Sequence, residues 1–384
     1  MGLTIENKSA IMKKLSILPL FLLFISGIWM SACTTLQVMD FPASLDAFER
    51  KGLVVMNDSA LVLISSASGV EFRFAGDNCQ VFLSNKAADG DYNYVSFELD
   101  GKYYGRKKVE NSISKPFAIQ ADSSAEWHTL KVFKATEAQN GLLLFHGVSA
   151  DRVKATEKTD MLRLEFIGNS ITCGMGNDAE ETPCDNGKWF DQHNAYWSYA
   201  AIVSRALNAD FLLSSISGAG IYRAWNSEIP SVPSLYESAY LNADSLQKRD
   251  FNSFKPDWII IALGTNDLSE GDGVNPRKAF DSARFVNEYF QFLQSLISRQ
   301  PQARFALLTS PMVEKEKDIL FHSCLIAVQL KFAEIYPEKP KPEIHHFPTI
   351  TATGCSGHPN KVEHQQMAES LKGFLVRMIN QAQN

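Results

Sequence analysis

Three short segments carry residue types that together could perform acyl transfer: Gly168-Asn169-Ser170-Ile171-Thr172, Gly264-Thr265-Asn266-Asp267 and Gly357-His358-Pro359-Asn360. Ser170 offers a hydroxyl nucleophile, Asn266 an amide able to stabilise an oxyanion, and His358 an imidazole base. A fourth segment, Ser217-Gly218-Ala219-Gly220, adds the backbone N–H of Gly218, where the missing side chain allows close approach. The N–H of Ser170 is a further oxyanion donor. Each of these residues also has an ordinary structural use, since serine caps helices, asparagine makes Asx turns and glycine makes turns. Their order and placement argue for chemistry. Asp267 reads as a cap and Thr265 as structural. Of the eight histidines, His128 and His146 fall in a strand-rich region, His364 inside a helix and His345-His346 at a strand end. His358, just before the last helix, has the strongest position.

The elements that must carry these loops change character along the chain. From about residue 53 to 153 the pattern is strand after strand. Residues 94–99 meet residues 102–104 across Asp100-Gly101, a hairpin signal, because both turn residues tolerate positive φ. Residues 70–74 and 127–133 alternate, and Asn140-Gly141 turns into the apolar run 142–145. Short strands at this spacing predict an all-β sandwich of jelly-roll type with no helix of any length. A charged stretch at residues 151–160 marks a linker. Beyond it, predicted strands at 162–167, 211–213, 258–263 and 305–308 alternate with predicted helices at 196–207, 277–298, 317–336 and 361–379. The 258–263 run is apolar throughout, as a strand covered on both faces must be. This predicts an α/β three-layer domain with a mainly parallel sheet, whose ligands sit beyond the carboxyl ends of its strands.

The N-terminus reads as a targeting signal. Lys13-Lys14 precede an apolar run over residues 15–29, and Met30-Ser31-Ala32-Cys33 follows. Small residues before a cysteine are similar to a bacterial lipobox, so Cys33 is expected to be lipidated; a plain secretory signal cut near Ala32 is the alternative. Met12 opens a signal of more usual proportions. The expected division is a signal over 1–33, a β-sandwich over 34–157 and a hydrolase domain over 158–384. The protein is expected to be an exported lipoprotein of the periplasm or the outer-membrane or cell surface, touching membrane only through that anchor. Export permits disulfides. Cys173 and Cys184 flank a polar loop beside Ser170 and form the favoured pair, with Cys324 and Cys355 as a second pairing and full reduction as the alternative. The net charge of -6 and the lack of a basic stripe argue against nucleic acid. Phosphate-loop, dinucleotide and metal-ligand motifs are missing from the sequence, so neither a cofactor nor a metal is expected.

Taken together the four blocks resemble the SGNH (GDSL-like) hydrolases, named for a catalytic serine, glycine, asparagine and histidine, over about residues 160–384. Asn169 stands where aspartate is usual. With the sandwich in front, Ser-Ile-Thr-Cys-Gly after Asn169 and His-Pro-Asn at the end, the chain most resembles carbohydrate esterase family 2. The resemblance implies removal of acetyl groups from plant polysaccharides such as xylan and glucomannan, with acetylated polysaccharide or oligosaccharide as partner. One departure is that many SGNH enzymes carry aspartate three residues before the histidine, where this chain has Cys355. The family 2 resemblance implies instead a Ser-His dyad whose histidine is held by a backbone carbonyl, that of Ser356 or Gly357. Gly357 also replaces the aromatic that family members often carry there, which bears on the shape of the acetyl pocket.

Aromatics near the blocks have two readings. Trp189 and Phe190 in the loop after Cys173, and Tyr222 and Trp225 after the glycine block, could stack on sugar rings or anchor their loops. Two rival functions remain at this stage. One is an SGNH esterase acting on another acetylated glycan, such as an acetylated sialic acid, or on a lipid. The other is a catalytically inactive glycan-binding lipoprotein.

Overall fold

The computed structural model describes residues 39–383 except 158–159, 227–228 and 244–246. The predicted signal and Cys33 lie outside the described residues. Among the described residues twelve strands build the first half: β1 (Met39–Pro42), β2 (Glu49–Lys51), β3 (Val54–Asn57), β4 (Ala60–Leu63), β5 (Gly69–Ala75), β6 (Asn78–Lys86), β7 (Asn93–Leu99), β8 (Lys102–Val109), β9 (Lys115–Gln120), β10 (Trp127–Lys134), β11 (Leu142–Ala150) and β12 (Arg152–Lys154). One sheet runs β3-β4-β11-β6-β9 with β1 also on β11, and the other β12-β5-β10-β7-β8 with β2 also on β5. All pairings are antiparallel. The sandwich forms because the alternating residues Val70, Phe72 and Phe74 meet Val81, Leu83, Leu143 and Phe145 in one apolar layer. The β7–β8 hairpin turns at Asp100 and Gly101, with φ of 49° and 75°.

Among the described residues the second half holds five strands: β13 (Arg163–Gly168), β14 (Asp210–Ser215), β15 (Trp258–Ala262), β16 (Arg304–Leu308) and β17 (Glu343–His345). They form one parallel sheet in the order β14-β13-β15-β16-β17. Helices α1 (Ser170–Cys173), α2 (Tyr199–Ala206), α3 (Val232–Leu235), α4 (Thr265–Leu268), α5 (Ser282–Arg299), α6 (Lys315–Ile335) and α7 (Lys361–Gln383) complete it. Ile259 and Ile261 of β15 point into a core with Phe285 and Leu293 of α5 and Phe321 and Leu325 of α6. Ile260 points the other way, into a core with Tyr199 and Ile202 of α2 and Leu371 and Leu375 of α7. Burial on both faces is why this strand reads as an unbroken apolar run.

The chain leaves β13 for β14 on one side and reaches β15 on the other, so the strand order reverses at β13. Ligands in open parallel sheets collect at such a reversal, beyond the strand ends. The loops after β13, β14 and β15 carry Ser170, Gly218 and Asn266 respectively. The sandwich is not a detached appendage. Leu53, Val62, Ile64 and Ala138 join the core under α5, and Ala67 and Phe133 join the one under α2.

Two predicted helices start later than their patterns suggest. The stretch before α2 is a 3-10 turn (Ala195–Trp197), after which the Ser198 side chain caps α2. α5 begins five residues later than its pattern suggests, because Asp281 caps it by accepting from the N–H of Arg284 at 2.9 Å. Arg277, upstream, instead donates to the carbonyls of Ser269 and Asn266, each at 2.8 Å.

Candidate active site

The loop after β13 is built to present a serine. Asn169 caps α1 by accepting the N–H of Ile171 at 3.1 Å. Ser170 is the first residue of that helix, so its N–H is among those a helix leaves without an intrahelical acceptor. Gly168 must be glycine, because a Cβ there would lie 2.0 Å from Oγ1 of Thr172.

The loops after β14 and β15 lock onto each other. Gly218 has φ +75°, and a Cβ on it would meet Cδ1 of Trp225 at 3.0 Å. Nδ2 of Asn266 donates to the carbonyl of Ala219 at 2.8 Å, which engages one of its two amide hydrogens. The fully buried carboxylate of Asp267 accepts from the N–H groups of Ile221 at 2.9 Å, Tyr222 at 3.0 Å and Arg223 at 3.3 Å. Burial pushes the Asp267 carboxyl up to about 6. Its contacts are all with the protein's own backbone, as a cap's would be.

The histidine arrives from the opposite end of the chain. Asn360 and Glu363 form a reciprocal capping box at the start of α7, with Glu363 accepting from the Asn360 N–H at 2.7 Å and Asn360 from the Glu363 N–H at 2.9 Å. This fixes the loop that bears His358. Nε2 of His358 lies 2.8 Å from Oγ of Ser170. Nδ1 of His358 donates to the carbonyl of Ser356 at 2.9 Å. A carbonyl can only accept, so the neutral imidazole keeps its proton on Nδ1 and presents a lone pair at Nε2 to the serine hydroxyl. Burial lowers the pKa of His358 below its ordinary value, with the Ser356 carbonyl and Glu137 opposing and His193 assisting.

Ser170, Gly218, Asn266 and His358, spread over almost 190 residues of chain, line one open cleft of about 520 Å³. Its remaining walls include Gln139, Met175, Trp189, Trp225, Ile229 and Met312. Trp189 and Trp225 are 45% and 42% exposed. A hydroxyl, an imidazole held in one tautomer, and Gly218 and Asn266 on the same cleft are the parts that attack on an ester carbonyl requires.

Residues 53–157 match the carbohydrate esterase 2 N-terminal family, and residues 166–339 match the GDSL-like lipase/acylhydrolase family. The chain is 30% identical over 252 residues to an acetylxylan esterase/glucomannan deacetylase of Cellvibrio japonicus, a match covering 64% of this chain and 68% of that protein. The chain belongs to carbohydrate esterase family 2. This esterase is also 27% identical over 316 residues to the cellulase/esterase CelE of Acetivibrio thermocellus, covering 80% of this chain and 36% of that longer protein. A solved family two carbohydrate esterase from Clostridium thermocellum, in complex with cellohexaose, superposes with a TM-score of 0.77 at 26% identity, over 87% of this chain and 99% of that one.

Not every residue singled out from the sequence reaches the cleft of this family 2 esterase. Tyr222 does not line it: its hydroxyl accepts from the N–H of Asp281 at 3.0 Å, and its ring packs against Phe280. Gly357 does not line it either; it has φ +68° and faces open space, so the residue before the histidine forms no wall. The favoured cysteine pairing is replaced, because Cys184 bonds Cys355. Cys173 points into the interior instead, 3.2 Å from Oγ of Ser215, and Cys324 is buried and free. In the loop after Cys173 the two aromatics divide the roles, with Phe190 buried and Trp189 open.

Sequence reasoning passed over Met175, Ile229 and Met312, whose apolar side chains carry no signal of their own. It also passed over Glu137 and Gln139. Lys134 and Glu137, charged residues bordering the core strand β10, were the available signal, since both are fully buried.

Proposed function

We propose that the protein is a serine esterase that removes O-acetyl groups from plant cell-wall polysaccharide, acetylated xylan or glucomannan, through a Ser170–His358 dyad and an acetyl-enzyme. The observation that carries the reading is the 2.8 Å contact between His358 Nε2 and Ser170 Oγ, with Nδ1 committed to Ser356. Oγ attacks the acetyl carbonyl as its proton passes to Nε2. The oxyanion that forms is met by the N–H groups of Ser170 and Gly218 and by the Asn266 amide. Collapse expels the sugar oxygen, which takes the proton from the imidazolium. Water then attacks the acetyl-serine and gives its proton to His358, and collapse of the intermediate returns that proton to Oγ as acetate leaves.

The substrate class rests on the family and on the cleft. The Cellvibrio relative is named for acetylxylan and glucomannan, and the Clostridium structure holds a cello-oligosaccharide. Trp189 and Trp225 offer exposed indoles at the rim, suited to stacking on sugar rings. The same reading takes the protein to be exported and lipid-anchored at Cys33; the Cys184–Cys355 disulfide supports an oxidising compartment.

Acetate release from acetylated xylan and glucomannan, measured beside hydrolysis of p-nitrophenyl acetate, butyrate and octanoate, tests the reading. The expected result is release from at least one polysaccharide and a steep preference for acetate. Preference for octanoate would point to a lipid esterase, and glycan binding without any turnover to an inactive binder.

A further inference from the structure

The turn that links β10 to β11 in the sandwich, Glu137-Ala138-Gln139, reaches across to the glycine block of the other domain. Nε2 of Gln139 donates to the carbonyl of Ser217 at 2.9 Å. Glu137 accepts from the N–H of Ser217 at 2.8 Å and from its hydroxyl at 2.5 Å. All three polar groups of Ser217 are therefore held by two side chains from a domain that contains neither the nucleophile nor the base.

The geometry of the peptide unit gives this clamp a consequence. The carbonyl of Ser217 and the N–H of Gly218 belong to one planar group, and there are no cis peptide bonds among the described residues. In a trans peptide the two point in opposite directions. Anchoring the carbonyl on Gln139 therefore aims the N–H of Gly218 away from the sandwich. Glycine at φ +75° has the widest conformational freedom of any residue, so this peptide needs an outside hold more than most.

Glu137 is itself firmly set. It is fully buried, and Nε2 of His193 lies 3.4 Å from its Oε1. The buried ammonium of Lys134 donates to its main-chain carbonyl at 2.5 Å, and the Cys173 thiol lies 3.5 Å from its Oε2. Burial works against ionisation, yet the contacts from His193 and Ser217 hold the carboxyl below its ordinary range. A buried carboxylate held below its ordinary range, with both oxygens on Ser217, is a costly arrangement to keep.

We propose that Glu137 and Gln139 are positioning residues of the oxyanion hole, and that the sandwich domain completes the esterase site by fixing the Ser217–Gly218 peptide in its donating orientation. The inference rests on the serine-esterase reading above. It assigns the β-domain a part in catalysis in addition to any part in binding glycan. Preorganised donors stabilise the transition state more than the ground state, so loosening one lowers kcat and spares KM.

The test compares kcat and KM on p-nitrophenyl acetate for wild type, Gln139→Met, Glu137→Gln and Ser170→Ala, with a thermal melt of each. Gln139 is exposed, so the Met variant keeps the fold even where the Glu137 variant does not. Gln139→Met is expected to lower kcat about tenfold, the scale of one lost hydrogen bond, with KM within a factor of two and an unchanged melt. Glu137→Gln is expected to lower kcat at least as much with KM unchanged, and to move the acid limb of the pH profile downward, because Glu137 opposes the fall in His358 pKa. The groups facing Glu137 in that profile are Lys134, His193 and Cys173. If Gln139→Met keeps full kcat, or raises KM alone, while Ser170→Ala is dead, the inference is overturned and the esterase reading stands. If Ser170→Ala still turns over, the reading itself has failed.

Discussion

The main-chain carbonyl of Ser356 accepts the Nδ1 proton of His358 at 2.9 Å, the position where a carboxylate orients the imidazole in many serine hydrolases. The carbonyl points that way because Ser356 sits in left-handed backbone, with φ 54° and ψ 32°. That conformation strains any side chain and is worst for β-branched ones. Ser356→Gly is therefore expected to keep kcat/KM within a factor of two. Ser356→Val, which resists positive φ by about 1–2 kcal/mol, is expected to lower it about tenfold. Equal activity in the two variants would separate the carbonyl from the orientation of His358.

The acid limb of the rate profile follows from burial of the base. Only neutral His358 can take the serine proton, so activity is lost as pH falls through its pKa. Burial depresses that pKa below the ordinary 6.5. The acid limb of the kcat/KM profile is expected to have its midpoint below pH 6.5. A midpoint above 6.5 would mean that an anionic partner, not desolvation, governs the histidine.

Asn266 acts in two ways, as a donor to the oxyanion and, through Ala219, as a tie to the glycine loop. Asn266→Ala is expected to cut kcat by about 10²- to 10³-fold. Asn266→Asp, similar in shape but with an acceptor facing the oxyanion, is expected to be no better. Steady-state kinetics on p-nitrophenyl acetate checks both.

Cys355 occupies the place of the missing aspartate and works mechanically. Its disulfide to Cys184, 171 residues away in sequence, ties the histidine loop to the loop that carries Trp189. The Cys355 N–H also donates to the Gly176 carbonyl at 2.8 Å. Cys184→Ser with Cys355→Ser is expected to lower stability by about 3–5 kcal/mol on chain-entropy grounds. It is also expected to reduce kcat/KM. Calorimetry and kinetics of the double variant, or of reduced wild type, read the two effects.

The parts of this architecture that could be read from the chain are those whose signals are local. The β15 run from Trp258 to Ala262 announces a strand buried on both faces, and the Asp100-Gly101 turn announces a hairpin. The α/β alternation fixes where loops after strands must gather, so the convergence of the segments bearing Ser170 and Asn266 could be anticipated. What escaped depends on contacts between distant segments. Nothing in the spacing of Cys184 and Cys355 distinguishes their pairing, since they lie 171 residues apart and only the folded chain brings them together. Tyr222 follows Gly218 by four residues, yet the backbone turns it toward Asp281 and away from the cleft. Short strands such as β2 and β3 exist only because neighbours in the sandwich pair with them. Gln139 carried no signal as a site residue, and Glu137 only that of a charged residue beside a core strand, because their partner, Ser217, lies in the other domain.

The claim beneath all of this is that Ser170 and His358 act as one unit. The most direct test measures kcat for Ser170→Ala, His358→Ala and the double variant on p-nitrophenyl acetate. Each single variant is expected to lose nearly all turnover, and the double to lose little more, as for groups that function only together. Losses that multiply in the double variant, or a Ser170→Ala enzyme that still releases acetate, would contradict the dyad.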